Sequence, residues 1–289
     1  MFIINVLICV WGNDMSLLEN KKIAILGGSG TVGKALVRYM QSEQIGVQKI
    51  IIYSRDEIKQ LEMMEDFPEE GSPPMEYKLG DVRDLKRLQE ILKGVDFVIH
   101  AAAIKHVVMA EKNPEECKKT NIDGTRNVVE ACLSNDVQQA VLISTDKAVN
   151  PTGVYGNSKR EAERIFLESH AGICQFKVIR LGNIIGARGS VFEVFERQKR
   201  KGVIKVTHPE ATRFCITQKK SAKFILGMIT KKSNEIFTPV MDSFRIMDLA
   251  KKVAPECKIE IIGLRPGDKL HEELEEIDSL ATLEKQDGV

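Results

Sequence analysis

Several features are scarce or absent in this sequence. Met1–Trp11 is far short of the roughly twenty residues a transmembrane helix needs, and no other segment approaches a membrane span. Met1–Trp11 also has no basic n-region and no small-residue cleavage site, so it does not read as a secretory signal. The six cysteines (Cys9, Cys117, Cys132, Cys174, Cys215 and Cys257) are scattered, with no Cys-x-x-Cys and no metal-like spacing to the five histidines. A disulfide framework and a bound metal are therefore not expected, and the thiols read as reduced. The net charge of +1 argues against a dedicated nucleic-acid or polyanion binder, although a local basic pocket for phosphates remains open. Internal repeats and low-complexity tracts are absent, which excludes a solenoid.

A length of 289 residues allows one large domain, or a large and a small one, and the 43% apolar and 29% charged fractions are ordinary for a globular chain. Residues 1–14 are expected to be an extension outside the fold, because Met15-Ser-Leu-Leu-Glu-Asn-Lys-Lys makes a more ordinary start; the competing expectation is an element packed on the core or on a partner. Beyond that point short apolar runs alternate with amphipathic segments. Strands are expected at 22–26, 49–53, 75–79, 96–101, 140–145 and 175–181, and helices at 31–41, 85–93, 114–134 and 155–170. This alternation predicts an α/β fold, a Rossmann-type doubly wound parallel sheet over 15–181. After residue 182 the rhythm breaks. Residues 182–289 are expected to form mainly a smaller C-terminal substrate-binding cap, with some segments returning to the core.

Gly27-Gly28-Ser29-Gly30-Thr31-Val32-Gly33 follows an apolar strand and opens a helix. Glycines permit the tight turn and let backbone N–H groups approach a pyrophosphate, and the helix N-terminus adds unpaired donors and a positive dipole end. The second strand ends in Ser54-Arg55-Asp56. Ser54 and Arg55 suit a ribose 2′-phosphate, so NADP is favoured over NAD; the alternative is that Arg55 is solvated and Asp56 serves the ribose. Asp81 and Val82, after the third strand, are placed to reach the adenine.

Thr145-Asp146-Lys147 closes the fifth predicted strand, and Tyr155-Gly-Asn-Ser-Lys159 opens the next helix about ten residues later. Tyr155 and Lys159, at i and i+4, share one helix face. An ammonium beside a phenol lowers its pKa from about 10, so the phenolate can take an alcohol proton while the carbon gives hydride to nicotinamide. Thr145 can bond the same oxygen. Asp146 and Lys147 place two charges at the carboxyl end of a central strand. Either they form a structural ion pair or they are a second acid/base couple of the kind a dehydratase needs.

These motifs resemble the extended short-chain dehydrogenase/reductases, and within them the polysaccharide biosynthesis proteins known as UDP-N-acetylglucosamine 4,6-dehydratases of the C5-inverting type. The likeness extends over roughly 20–275 and includes His100-Ala-Ala-Ala-Ile-Lys-His-Val107, Lys119-Thr-Asn-Ile122, Ser144-Thr-Asp-Lys147, Arg188-Gly-Ser-Val191, Thr212-Arg-Phe214 and Gly263-Leu-Arg-Pro-Gly-Asp-Lys-Leu-His-Glu272. The resemblance implies catalytic roles for Thr145, Asp146, Lys147, Tyr155 and Lys159. Lys147 would remove the C5 proton and Asp146 would protonate the leaving C6 hydroxyl. Further cofactor contacts are implied at Ala101, Ala102, Ala103, Lys105 and Asn121. Implied substrate contacts are Lys105, His106, Asn183, Arg188, Val191, Arg213, Arg265, Lys269 and Glu272. A UDP-sugar substrate, a homo-oligomer, a cytoplasmic location and no nucleic-acid or membrane partner complete the expectation. The rivals are a 5,6-dehydratase, a 4-epimerase and a non-catalytic NADP-bound regulator.

Overall fold

The computed structural model describes residues 6–8, 15–169, 173–231 and 233–275. The strands are β1 (Val6–Ile8), β2 (Lys22–Leu26), β3 (Lys49–Ser54), β4 (Met75–Leu79), β5 (Phe97–His100), β6 (Gln139–Thr145), β7 (Gln175–Leu181), β8 (Asn183–Ile184), β9 (Val203–Val206), β10 (Thr212–Ile216), β11 (Ile236–Thr238), β12 (Asp242–Arg245) and β13 (Lys258–Ile261). The helices are α1 (Thr31–Ser42), α2 (Glu57–Asp66), α3 (Leu85–Ile91), α4 (Val107–Lys112), α5 (Pro114–Lys118), α6 (Gly124–Ser134), α7 (Val154–Glu168), α8 (Val191–Lys199), α9 (Gln218–Ile229) and α10 (Ile246–Val253). Among the described residues no helix is long and apolar enough to cross a membrane.

The main sheet has eight strands in the order β1-β11-β7-β6-β5-β2-β3-β4, and all of its pairings are parallel. The chain winds outward from β2 to β4, then crosses back to lay β5 against the other side of β2. That reversal is the topological switch point, where ligands enter open α/β sheets. Continuous apolar runs such as Ile23-Ala-Ile-Leu26 are fully buried, because helices cover both faces. One face packs α1 and α9 over Ile23, Ile25, Ile50 and Ile52, and the other packs α3, α6 and α7 over Leu26, Val98, Leu142 and Val178. Side-chain caps at Asp56, Asp84 and Thr217 start α2, α3 and α9.

Two findings differ from the sequence expectation. Val6–Ile8 pairs in parallel with Ile236–Thr238 at the sheet edge, so these three residues lie within the fold. The remainder of 1–14 lies outside the described residues. A β-prone Val-Leu-Ile run can extend the open edge of β11. Secondly, the helix expected over 114–134 is α5 and α6 joined by a π turn at Lys119–Asp123. In the last third of the chain, α9 and β11 pack on or join the main sheet, whereas Phe195, Ile204, Val206, Ile246 and Leu249 form a separate small core. That core is bounded by two minor sheets, β12-β10-β8 and β13-β9.

Candidate active site

The glycine turn lies at the carboxyl end of β2, at the switch point. A Cβ on Gly27, whose φ is +79°, would approach the Ala102 nitrogen to 2.7 Å, so the turn and the Ala101–Ala103 loop are in backbone contact. A Cβ on Gly33 would come within 1.9 Å of the Gly28 carbonyl oxygen, which locks α1 onto the turn. Gly30 differs, because a Cβ there meets only the Gly27 oxygen, at 3.1 Å, and otherwise faces open space. Gly30 also caps α1 without a side-chain hydrogen bond. The N–H groups of Thr31, Val32 and Gly33 thus begin a helix whose positive end faces an open cradle, the arrangement a pyrophosphate requires.

The end of β3 is organised around Ser54. Its hydroxyl accepts from Ser29 Oγ at 2.9 Å and from Gln60 Nε2 at 3.0 Å. Asp56 caps α2, accepting from the Lys59 N–H at 3.1 Å, and also pairs with the Lys59 ammonium. Arg55 is exposed, 3.6 Å from Asp81. Asp81 is held below the ordinary carboxylate range: burial pushes it up, but bonds from Arg83 and the charge of Arg55 more than offset this. Val82 is buried and packs where a Cβ on Gly124 would be. These residues fit the adenosine end of a dinucleotide.

The reacting groups gather at the carboxyl end of β6 and the start of α7. Thr145 Oγ1 donates to Asp146 Oδ1 at 2.9 Å, and Lys147 Nζ is 2.9 Å from the same oxygen. Asp146 is fully buried. Lys147 Nζ also lies 3.2 Å from Glu272 Oε1. Burial pulls the Lys147 amine down, but the Asp146 and Glu272 carboxylates overcome this and hold it above the ordinary lysine value. Lys147, Tyr155, Gly267 and Lys269 line one cleft.

Tyr155 and Lys159 behave differently from the sequence expectation. Burial drives the Tyr155 phenol up to about 12; the cation that opposes this is Lys147, and the Thr145 hydroxyl helps. Lys159 donates to the Ile143 carbonyl at 2.8 Å, and burial lowers it to about 8. The shared helix face is present, but the Lys159 ammonium is directed at the β6 backbone.

Other predicted residues separate into groups. Arg213 and Lys269 join the cluster, at 3.7 Å and 4.0 Å from Glu272; Arg213 also donates to the Leu270 carbonyl and Lys269 to that of Val149. Arg265 is apart, exposed and paired with Asp268 at 2.8 Å. Arg188 lies at the cofactor end: its N–H reaches Thr31 Oγ1 at 3.4 Å, its guanidinium pairs with Glu62 at 2.5 Å, and its carbonyl accepts from Lys105 Nζ at 3.0 Å. His106 packs against Gly189 in the same loop. Asn121 is buried, with its amide bonded to the Ile104 backbone at 2.8 and 3.0 Å and to Ser158 at 2.9 Å, so it orients the 101–106 loop. Asn183 on β8 faces Cys215 on β10, and Val191 packs against the small core.

Two polar residues near the site escaped sequence reasoning. Glu111 Oε1 accepts from the Val154 N–H at 2.6 Å, capping α7 from α4; the contact is long-range and leaves no local signal. Glu163 accepts from Ser144 Oγ at 2.5 Å and pairs with buried Arg180 at 2.7 Å. Its signal was available, since Glu163 continues the i, i+4 row of Tyr155 and Lys159 on the buried face of α7.

A glycine cradle at the switch point, with a Thr/Tyr/Lys set on the following strand and helix, defines a dinucleotide-dependent enzyme of the short-chain dehydrogenase/reductase class. The chain belongs to the polysaccharide biosynthesis protein family, whose sequence profile matches residues 23–288. It is 44% identical over 263 residues to the UDP-N-acetylglucosamine 4,6-dehydratase (inverting) of Campylobacter jejuni, covering 89% of this chain and 78% of that protein. It is 34% identical over 285 residues to the UDP-glucose 4-epimerase of Rickettsia akari, covering 94% and 82%. Among solved structures, Pen from Bacillus thuringiensis superposes with a TM-score of 0.85 at 34% identity, over 90% of this chain and 85% of that one.

Proposed function

We propose that this protein is a nucleotide-sugar 4,6-dehydratase that converts UDP-GlcNAc to a UDP-4-keto-6-deoxy sugar with inversion at C5, using NADP. The observation that carries the reading is the buried Asp146–Lys147 contact of 2.9 Å beside Tyr155. A 4-epimerase, the activity named for the Rickettsia relative, must move a proton and a hydride at C4 and has no use for a second acid/base couple.

The bound cofactor supplies hydride acceptance from C4 and hydride return to C6. Tyr155 takes the O4 proton as the phenolate that the Lys147 charge and the Thr145 hydroxyl favour against burial, with Thr145 bonded to the same oxygen. The resulting C4 ketone acidifies C5–H. One proton crossing from Lys147 Nζ to Asp146 turns the ion pair into a neutral amine and a carboxylic acid, so a single transfer makes both base and acid. Lys147 then takes the C5 proton, its electron pair forms the C5–C6 double bond, and Asp146 protonates the departing C6 hydroxyl as water. The elimination leaves Lys147 protonated and Asp146 ionised, which restores the pair. Hydride return to C6 and a proton taken up at C5 from solvent, to which Tyr155 releases the O4 proton, complete the product.

NADP is favoured over NAD because Asp56 is engaged in capping α2, while Arg55 is exposed at the end of β3 where a 2′-phosphate would lie. In this reading residues 15–181 hold the cofactor and the later segments mainly cover the sugar nucleotide, in a cytoplasmic homo-oligomer. The test is incubation of the purified protein with UDP-GlcNAc in deuterated water, followed by NMR and mass spectrometry. Loss of water, a new C6 methyl and deuterium at C5 are expected. A C4 epimer of unchanged mass would refute the dehydratase, and unaltered UDP- and dTDP-sugars would favour a regulator.

A further inference from the structure

Lys147 is bracketed by two buried carboxylates, and their surroundings are unequal. Asp146 takes the Lys147 ammonium and the Thr145 hydroxyl on one oxygen, Oδ1. Glu272 faces Lys147 at 3.2 Å and two further cations, Arg213 at 3.7 Å and Lys269 at 4.0 Å. Among the described residues Asp146 Oδ2 is buried without a hydrogen bond, whereas Glu272 Oε2 has the Lys269 ammonium at 4.0 Å. Orphaned acceptors of this kind are costly in a folded interior and mark a place where a ligand brings donors. A sugar hydroxyl is such a donor.

We propose that Glu272 is a positioning residue of the elimination, an anionic anchor that fixes the Lys147 amine opposite Asp146 and directs its shared proton to Asp146. The inference rests on the dehydratase reading. Its basis is the charge asymmetry: a proton that moved to Glu272 would leave Arg213 and Lys269 facing a neutral group, whereas a proton that moves to Asp146 leaves the Glu272 cluster intact. Asp146 then presents its acid to the C6 hydroxyl while Lys147 stays tethered on the C5 side. Resemblance placed Glu272 among substrate contacts; in the structure its Oε1 is turned to Lys147 and Arg213. The segment that carries it is fastened by Thr212 N–H to the Leu270 carbonyl at 3.0 Å and by Arg180 to the Leu274 carbonyl at 3.1 Å. The anchor is therefore held by the core.

The test compares wild type, Glu272→Gln and Glu272→Asp, all loaded with NADP, in single turnovers with UDP-GlcNAc. C4 oxidation is read from the nicotinamide absorbance and elimination from the C6 methyl. For Glu272→Gln, C4 oxidation should stay within about twofold and KM within about threefold, while elimination falls at least about tenfold, a fraction of the roughly 10²–10⁴-fold that a general acid–base group contributes. Glu272→Asp, which keeps the charge on a shorter arm, should recover part of the loss. Equal loss in both steps, a rise in KM with kcat unchanged, or no change overturns the proposal. If Glu272→Gln does not fold, Glu272→Asp carries the same comparison, with a smaller loss confined to elimination expected. A wild type that loses no water overturns the dehydratase reading itself, and this inference with it.

Discussion

Lys177 lies fully buried on β7, bonded to Gln139 Oε1 and, at 3.4 Å, to the Ile229 carbonyl. Burial lowers its pKa to about 8. An unfolded lysine titrates near 10.4, so the unfolded chain binds the extra proton between those values. This group's contribution therefore makes the fold more stable as pH rises from about 8 to about 10, and below pH 8 the penalty is constant at about 3 kcal/mol. Lys177→Met removes the penalty but strands the Gln139 oxygen, at about 1–3 kcal/mol. Thermal unfolding should show the variant's stability relative to wild type declining between pH 7 and pH 10. A pH-independent difference would show that Lys177 does not titrate in this way. Lys147 has the opposite balance, because two carboxylates depend on its charge. Lys147→Ala should abolish dehydration, by at least about a hundredfold, and leave NADP affinity unchanged. It should also cost about 3–5 kcal/mol of stability, because it leaves buried carboxylates without their ammonium. Near-normal turnover in that variant would remove Lys147 from the chemistry.

At the scale of elements, the β2–α1 turn separates glycines that build from glycines that bind. Gly33→Ala drives a Cβ into the Gly28 carbonyl and should lower the melting temperature. Gly30→Ala meets little and should fold as wild type, yet weaken NADP by about tenfold or more, because the methyl occupies the space the pyrophosphate needs. Thermal melts with and without NADP separate the two, and a Gly30→Ala protein that binds normally would move the cofactor away from this cradle. This turn was legible in the sequence because strand, glycines and helix are contiguous. Tyr155 and Lys159 were legible as a pair for the same reason, since helical spacing alone puts them on one face. The direction of the Lys159 ammonium was not, because it depends on the Ile143 carbonyl of a neighbouring strand. The resemblance implies a cofactor contact at Asn121, and what the sequence does not show is the π turn that bonds its amide to Ile104 and Ser158. Resemblance alone groups Arg188, Arg265 and Glu272 as substrate contacts. Tertiary packing disperses them to the cofactor end, the exposed surface and the Lys147 cluster, and no local pattern encodes that division.

Across the whole molecule, the acid/base cluster is assembled from three distant parts of the chain: the end of β6, Arg213 on β10, and the 263–275 segment. Arg180 ties the last of these to the sheet. It forks onto Glu163 on α7, which also accepts from Ser144, and its remaining arm donates to the Leu274 carbonyl, two residues from Glu272. Truncating one member of such a buried pair strands the other charge, so Arg180→Met should lose about 3–5 kcal/mol and its activity together. That result alone would not distinguish a lost fold from a lost tether. The double variant Glu163→Leu/Arg180→Met does, because an apolar pair of similar volume often recovers the stability of a buried ion pair. It cannot supply the donor to Leu274. The expected outcome is a melting temperature near wild type, unchanged NADP affinity and a dehydration rate that stays depressed. A double variant that recovers both stability and turnover would show that Arg180 serves the core alone and that the 263–275 segment is held over Lys147 by its other bonds.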